Sequence, residues 1–163
     1  MHMLRRLLVG VGVVMPLVIA APSATAAPTG VPVTLNASMF FSPGLTAVPS
    51  AQGWSFSGTM STTVGVANGA ITVAANSSCA GSASSIGGES VTHGAGSGTW
   101  SCSSGVFAGK HGTFIYVRGG ANMTMSLDGD LRGQLNCQVT PDQTPPSPVT
   151  SARLICGGNL EAV

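Results

Sequence analysis

The sequence predicts an all-β fold, either an antiparallel up-and-down barrel or a β-sandwich of about seven to nine short strands, held by two disulfides. Three observations predict it. Apolar and polar residues alternate with period two, turn residues separate the alternating runs, and the four cysteines fall into two sequential pairs. Such alternation is typical of strands with one buried face, and no segment carries a helical stripe. The short connections favour the barrel.

The alternating runs justify the strands in chain order. Val33 begins the first run, and in a central run Phe114, Tyr116 and Arg118 share one face. A last strand begins at about Val149 and resumes toward residue 162 after Cys156. The complete set of runs lies at residues 33–39, 54–61, 71–75, 113–118, 121–128, 131–139 and 149–162.

Turn residues mark the connections between these strands. Glycine and asparagine tolerate a positive φ, which tight hairpin turns require. The predicted hairpin turns are Asn68-Gly69, Gly119-Gly120 and Asp128-Gly129-Asp130, and the further breaks are Ser42-Pro43-Gly44 and Gly87-Gly88. The proline-rich segment 141–148 is predicted to be an exposed loop, because proline donates no hydrogen bond to a sheet.

The N-terminus has the pattern of a secretory signal peptide over residues 1–26. Arg5 and Arg6 precede an apolar run at residues 7–21, and Ala24-Thr25-Ala26 resembles a cleavage site. The alternative is a retained anchor, but the run is shorter than the roughly 20 residues that span a bilayer. We therefore expect a single β-domain at residues 27–163, secreted to the extracellular space without a membrane anchor.

Export makes the cysteines candidates for disulfides. Four cysteines permit three connectivities, and the sequential pairs Cys79–Cys102 and Cys137–Cys156 are favoured. The first pair lies on successive strand patterns, and the second flanks the proline-rich loop, with Cys137 in the apolar phase of its strand. A zinc site is the alternative, but closely spaced ligand pairs such as C-x₂-C are absent from the sequence.

Charge argues against a nucleic-acid partner. Beyond residue 26 the chain carries four Lys and Arg side chains against five Asp and Glu, which is a formal charge of −1. No basic stripe remains to contact phosphates. Only 7% of the residues are charged, against about 25% in typical globular proteins, so Ser, Thr and Asn must wet the surface.

The polar residues form no reactive constellation in sequence. Glu89 and His93 could hold a metal with His111, but strand positions four apart lie roughly 13 Å apart. Asp128 and Asp130 fit a hairpin turn better than a calcium site or an acid/base pair. No G-x-S-x-G motif is present. We therefore predict no enzyme, no catalytic or metal residues and no cofactor.

The aromatic residues and methionines suggest a binding function. If the barrel is roomy, its inward side chains would line an apolar cavity, and the alternative is a filled interior. A carrier of a small apolar ligand, similar to a lipocalin in architecture, would need a cavity of roughly 300 Å³ or more. The candidate lining residues are Trp54, Phe56, Phe114, Tyr116, Met123 and Met125.

Several short motifs resemble those of small, uncharacterised secreted β-proteins of actinobacteria. These are residues 40–45 (FFSPGL), residues 54–59 (WSFSGT), the pair Cys79 and Cys102 around a glycine-rich centre, and the second cysteine pair near the end. The resemblance implies an exported, disulfide-bonded β-domain and supplies no catalytic residues. The leading hypothesis is thus a non-enzymatic binding protein or a structural component of the cell envelope, of unknown partner, ahead of a small-molecule carrier and of a hydrolase or metalloenzyme.

Overall fold

A computed structural model describes residues 30–65 and 72–163 of the chain. The predicted signal peptide at residues 1–26, the Asn68-Gly69 turn and Ile71 lie outside the described residues. No helix within the described ranges is long and apolar enough to span a membrane.

Eight antiparallel strands close into an up-and-down barrel, in which each strand pairs with the next and the last pairs with the first. The all-β prediction is confirmed, and this closure makes the domain a barrel and not a sandwich. The strands are β1 (Val31–Leu45), β2 (Gly53–Gly65), β3 (Thr72–Ser85), β4 (His93–Cys102), β5 (His111–Gly119), β6 (Asn122–Gly129), β7 (Leu131–Pro141) and β8 (Val149–Ala162), with one short 3₁₀ turn at Gly105–Phe107.

Both predicted disulfides are confirmed, and both lie inside the barrel. Cys79 of β3 faces Cys102 of β4 with their Cα atoms 4.0 Å apart, and Cys137 of β7 faces Cys156 of β8 at 3.9 Å. Each bond therefore fixes the register of one neighbouring strand pair. All four cysteines share the buried phase of their strands.

The barrel interior is filled by large rings packed over glycines. Trp54 of β2 and Tyr116 of β5 meet with ring centroids 5.0 Å apart, although two strands separate them. They meet because β4 presents glycine at its inward positions, Gly94, Gly96 and Gly98. A Cβ at Gly98 would lie 2.8 Å from Phe114 Cζ, so this face of β4 admits only glycine beside that ring.

The predicted break at Ser42-Pro43-Gly44 is wrong, because β1 continues to Leu45 through an irregularity in its pairing with β8. The buried Gln52 side chain explains how the strand continues. Its amide nitrogen donates to Gly44 O at 3.0 Å, and its amide oxygen accepts from Gly44 N at 3.1 Å. The side chain thus replaces the backbone partners that the irregular segment lacks.

The remaining connections follow the predicted turns. β5 ends at Gly119 and β6 begins at Asn122, β6 ends at Gly129 before Asp130, and residues 142–148 form the loop before β8. We call one end of the barrel the loop end. It carries the loops at residues 46–52, 86–92 and 142–148 and the turn at residues 120–121.

Candidate functional site

The loop of residues 86–92 folds a glutamate back into the loop end of the barrel. Gly87 and Gly88 adopt φ values of 76° and 89°, which side-chain-bearing residues rarely adopt, and they reverse the chain just before Glu89. Backbone hydrogen bonds between Ser50 and Glu89, at 3.1 and 2.8 Å, anchor the reversed segment. Glu89 is 0% exposed as a result.

Inside the barrel, Glu89 meets two inward side chains of β5. Arg118 Nε donates to Glu89 Oε1 at 3.0 Å, and the Tyr116 hydroxyl donates to Glu89 Oε2 at 2.8 Å. We call Glu89, Tyr116 and Arg118 the mouth network. Its ion pair is buried, with side chains 2% and 1% exposed, so each charge depends on the other for its compensation.

Arg118 also binds the backbone of the surrounding loops. Its two terminal nitrogens donate to four carbonyl oxygens, those of Ser90, Val91 (3.1 Å), His93 (3.3 Å) and Gly120 (3.0 Å). With the bond to Glu89, all five guanidinium N–H groups have an acceptor. The arginine therefore fastens the loop of residues 86–92 and the turn at residues 120–121 to the barrel.

The Tyr116 phenol and the Trp54 indole lie beside the ion pair. Burial raises the pKa of Tyr116 above its ordinary value of 10.0. The neighbouring Trp54 indole lowers it in part and the negative charge of Glu89 raises it again, so the phenol stays protonated and donates. The Trp54 indole Nε1 is buried and lies beside the Tyr116 hydroxyl, but it makes no hydrogen bond of normal geometry. A buried donor without a well-placed acceptor is costly, so an acceptor atom placed near this N–H would be stabilised by a hydrogen bond.

A partly enclosed pocket of about 160 Å³ opens at the loop end beside the network. Arg118 borders both the pocket and the network, and most of the other lining side chains are aliphatic or aromatic. We call this space the mouth pocket. Its lining residues are Phe41, Leu45, Val91, Arg118, Gly120, Ala121, Val139, Pro141 and Val149.

The six side chains suggested as a cavity lining, Trp54, Phe56, Phe114, Tyr116, Met123 and Met125, are all buried in the core. The void that Phe56 and Met125 border measures about 10 Å³, which holds one water at most. The mouth pocket contains none of the six. These residues therefore fill the space around that void, and the larger opening lies nearer the loops.

The other candidate residues lie apart. His93 Nδ1 hydrogen-bonds to Ser90 Oγ at 3.1 Å, and Glu89 is engaged by β5, so these two do not converge. His111 pairs with Asp130 at 3.1 Å on the opposite end of the barrel. Asp128 pairs with Arg132 at 2.7 Å on the surface. Among the described residues, no three His, Cys, Asp or Glu side chains are grouped to hold a metal ion.

An open groove of about 610 Å³ also runs along the outside of β3, β4 and β5. Short side chains such as Ser82, Thr99 and Thr113 line it, and all three are exposed. Because these hydroxyls face solvent, a ligand bound over them would remain in contact with water. The mouth pocket, which is smaller and more enclosed, is therefore the better candidate site.

Sequence reasoning missed the mouth network, although one signal for it was visible. Arg118 lies in the apolar phase of Phe114 and Tyr116, and an inward charge requires a buried partner. The partner, Glu89, is 29 residues away in a loop, where alternation gives no direction for a side chain.

Comparison of the chain with protein-family models, with curated proteins and with solved structures finds no match. The assignment of function therefore rests on the geometry of the barrel and its loop end.

Proposed function

We propose that this protein is a secreted, non-enzymatic binding domain whose mouth pocket takes one compact, uncharged apolar group. The observation that supports this is the pocket's size and lining, about 160 Å³ bordered mainly by aliphatic and aromatic side chains. A cavity of about 150 Å³ lined in this way accommodates benzene. The resemblance to exported actinobacterial β-proteins and the two disulfides support secretion.

The chemistry of the lining favours an apolar group over a polar one. All five N–H groups of Arg118 already have acceptors, so its guanidinium offers its flat face and no free donor. A guanidinium face packs well against an aromatic ring. The group can belong to a free small molecule or to an apolar side chain of a protein, since the pocket has only about half the volume of the smallest typical ligand site, roughly 300 Å³.

Methyl NMR titration of the ¹³C-labelled protein with toluene tests the proposal. We expect shifts confined to methyl groups that line the mouth pocket, such as those of Val91, Val139 and Val149. Ala121→Leu, which fills the pocket from the exposed turn, is expected to abolish them. Ala108→Leu, an exposed substitution in the connection between β4 and β5, is the matched control and is expected to preserve them.

A second titration with N-acetylphenylalanine amide separates the two sources of the apolar group. Shifts with both probes support a pocket that accepts a protein side chain, and shifts with toluene alone support a free ligand. The proposed function would be refuted if neither probe shifted the lining methyl groups. It would also be refuted if the shifts in the Ala121→Leu variant equalled those of the wild-type protein.

A further inference from the structure

We propose that the mouth network is a carboxylate-binding site that the protein's own Glu89 occupies, and that a compact apolar monocarboxylate binds by displacing Glu89. The inference rests on the proposed function of the mouth pocket and names the class of its ligand. The carboxylate would take the place of Glu89 on Arg118 and Tyr116, and the apolar part would lie in the mouth pocket.

The donors and the acceptor of this network belong to parts of the molecule that can separate. Arg118 and Tyr116 both point inward from β5, a central strand paired on both sides. Glu89 lies in a loop, directly after Gly87 and Gly88. The site is therefore built on the barrel wall, whereas its present occupant is carried by a segment that two glycines connect to β3.

The wall of β4 leaves room for a carboxylate at this position. A Cβ at Gly94 would lie 2.5 Å from Glu89 Cδ, and a Cβ at Gly96 would lie 2.9 Å from the Tyr116 hydroxyl. These two glycines form a slot that fits a flat carboxylate and the phenol that binds it. The slot remains when Glu89 leaves, because it is made of strand backbone.

The region also holds a donor that Glu89 does not satisfy. Trp54 Nε1 is buried beside the Tyr116 hydroxyl but makes no hydrogen bond of normal geometry, and its ring lies 5.0 Å from the Tyr116 ring by their centroids. The Arg118 and Tyr116 donors that bind Glu89, together with this weakly bonded indole N–H, make the region rich in donors, which suits an anion with several acceptor lone pairs. Glu89 supplies the only carboxylate in the network as the structure describes it.

Arg118 connects this polar site to the apolar pocket, because it contacts Glu89 and also lines the mouth pocket. A ligand that places its carboxylate on Arg118 therefore has an apolar space of about 160 Å³ next to the same side chain. That volume suits a single ring or a short branched chain. Benzoate has both parts, whereas toluene and benzamide are uncharged analogues of similar size.

Calorimetric titration of Glu89→Ala and the wild-type protein with benzoate, benzamide and toluene tests the inference. Removal of the internal competitor is expected to tighten benzoate binding about tenfold or more, and to change toluene binding less than about twofold. The double variant Glu89→Ala with Arg118→Met is expected to lose the preference for benzoate over benzamide.

A hydrogen-exchange measurement on the wild-type protein keeps the test decisive if Glu89→Ala does not fold. The amide of Glu89 bonds to Ser50 O at 2.8 Å, and that of Val91 bonds to Thr46 O at 2.9 Å. Saturating benzoate is expected to accelerate exchange at both amides by releasing the loop, whereas toluene is not. A purely structural Glu89 would leave both rates unchanged.

The outcomes separate this inference from the proposed function. Benzoate that binds Glu89→Ala no more tightly than benzamide, or that leaves the wild-type exchange rates unchanged, would overturn the inference. If toluene still binds in that case, the mouth pocket stands as a site for uncharged groups. If no probe binds any variant, both proposals are refuted.

Discussion

Among single residues, Arg118 has the greatest influence on the loop end of the barrel. It is 3% exposed, and its five N–H groups join the loop of residues 86–92, the start of β4 and the turn at residues 120–121 to β5. A buried arginine is tolerated only with full compensation, and here Glu89 and backbone carbonyls provide it. The stability of this end therefore depends on the pair more than on any single contact.

Arg118→Met is expected to lower the free energy of unfolding by about 3–5 kcal/mol, because it leaves the Glu89 carboxylate buried without a counter-charge. Arg132→Met is the matched control. Arg132 pairs with Asp128 at 2.7 Å, but those side chains are 58% and 69% exposed. Its loss is expected to cost less than about 1 kcal/mol. Urea unfolding measures both, and similar costs for the two would contradict the role of burial.

Tyr116 allows a direct test of the same environment, because it is the chain's one tyrosine. Burial raises its pKa above the ordinary value of 10.0. The folded protein therefore binds the phenolic proton more tightly than the unfolded chain, so this stabilisation is complete below about pH 10 and declines as the pH rises further. We expect phenolate absorbance to appear together with unfolding. Ionisation of the folded protein near pH 10 would contradict a buried hydroxyl.

For single residues, the sequence predicts which way a side chain faces better than it predicts which residue that side chain contacts. The alternation places Phe114, Tyr116 and Arg118 correctly on one inward face. It does not identify Glu89, because a loop residue after two glycines has no periodic neighbours to orient it. The mouth pocket likewise depends on where the loop of residues 86–92 and the turn at residues 120–121 meet the ends of β1, β7 and β8, which no local pattern encodes.

Among the elements, β4 shows how a strand with little side-chain mass shapes the core. Its inward positions alternate as Gly94, Gly96, Gly98 and then Trp100. The glycines leave space for rings from β2 and β5, so large side chains on one strand compensate for small ones on another. The interior is thereby filled without a uniform residue size, as small barrels require.

Gly98→Ala is expected to destabilise the protein by about 1–3 kcal/mol, because overpacked cores must shift their neighbours. The added Cβ would collide with the Ser82 carbonyl oxygen and would lie 2.8 Å from Phe114 Cζ and 2.9 Å from Ala83 Cα. Gly157→Ala on β8 is the control, since nothing lies within 4 Å of a Cβ there. It is expected to change stability by less than about 1 kcal/mol. Thermal unfolding compares them, and equal effects would argue against the packing described.

The positions of most strands can be predicted from the sequence, whereas the closure of the sheet into a barrel cannot. Period-two runs and glycine turns locate most strands, because both signals are local. The pairing of β1 with β8 joins the two ends of the domain, so only the tertiary structure distinguishes a barrel from a sandwich. The bulge at Ser42-Pro43-Gly44 was predicted as a break because the compensating Gln52 side chain cannot be recognised from sequence.

For the whole molecule, the closed barrel and the exposed hydroxyl groups compensate for the low content of charged residues, which would otherwise favour aggregation. Strands β2, β3 and β4 contain no Asp, Glu, Lys or Arg, so exposed hydroxyls such as Ser55, Ser82 and Thr99 wet that side. Charge repulsion between copies is weak, because the formal charge is +1 for the full chain and −1 for the residues beyond 26. The closed barrel leaves none of its eight described strands with a free edge, which removes the usual template for aggregation.

Export is the prediction that belongs to the molecule as a whole, because it joins the leader pattern at residues 1–26 to the two disulfides. We expect protein collected from its own culture medium to begin at about Ala27. Its mass should be lower than that of the reduced chain by two hydrogens for each of the two disulfides. Native mass spectrometry measures both, and reduction with alkylation counts the thiols independently. A mass that retains residues 1–26, or four alkylated cysteines without prior reduction, would contradict secretion into an oxidising compartment.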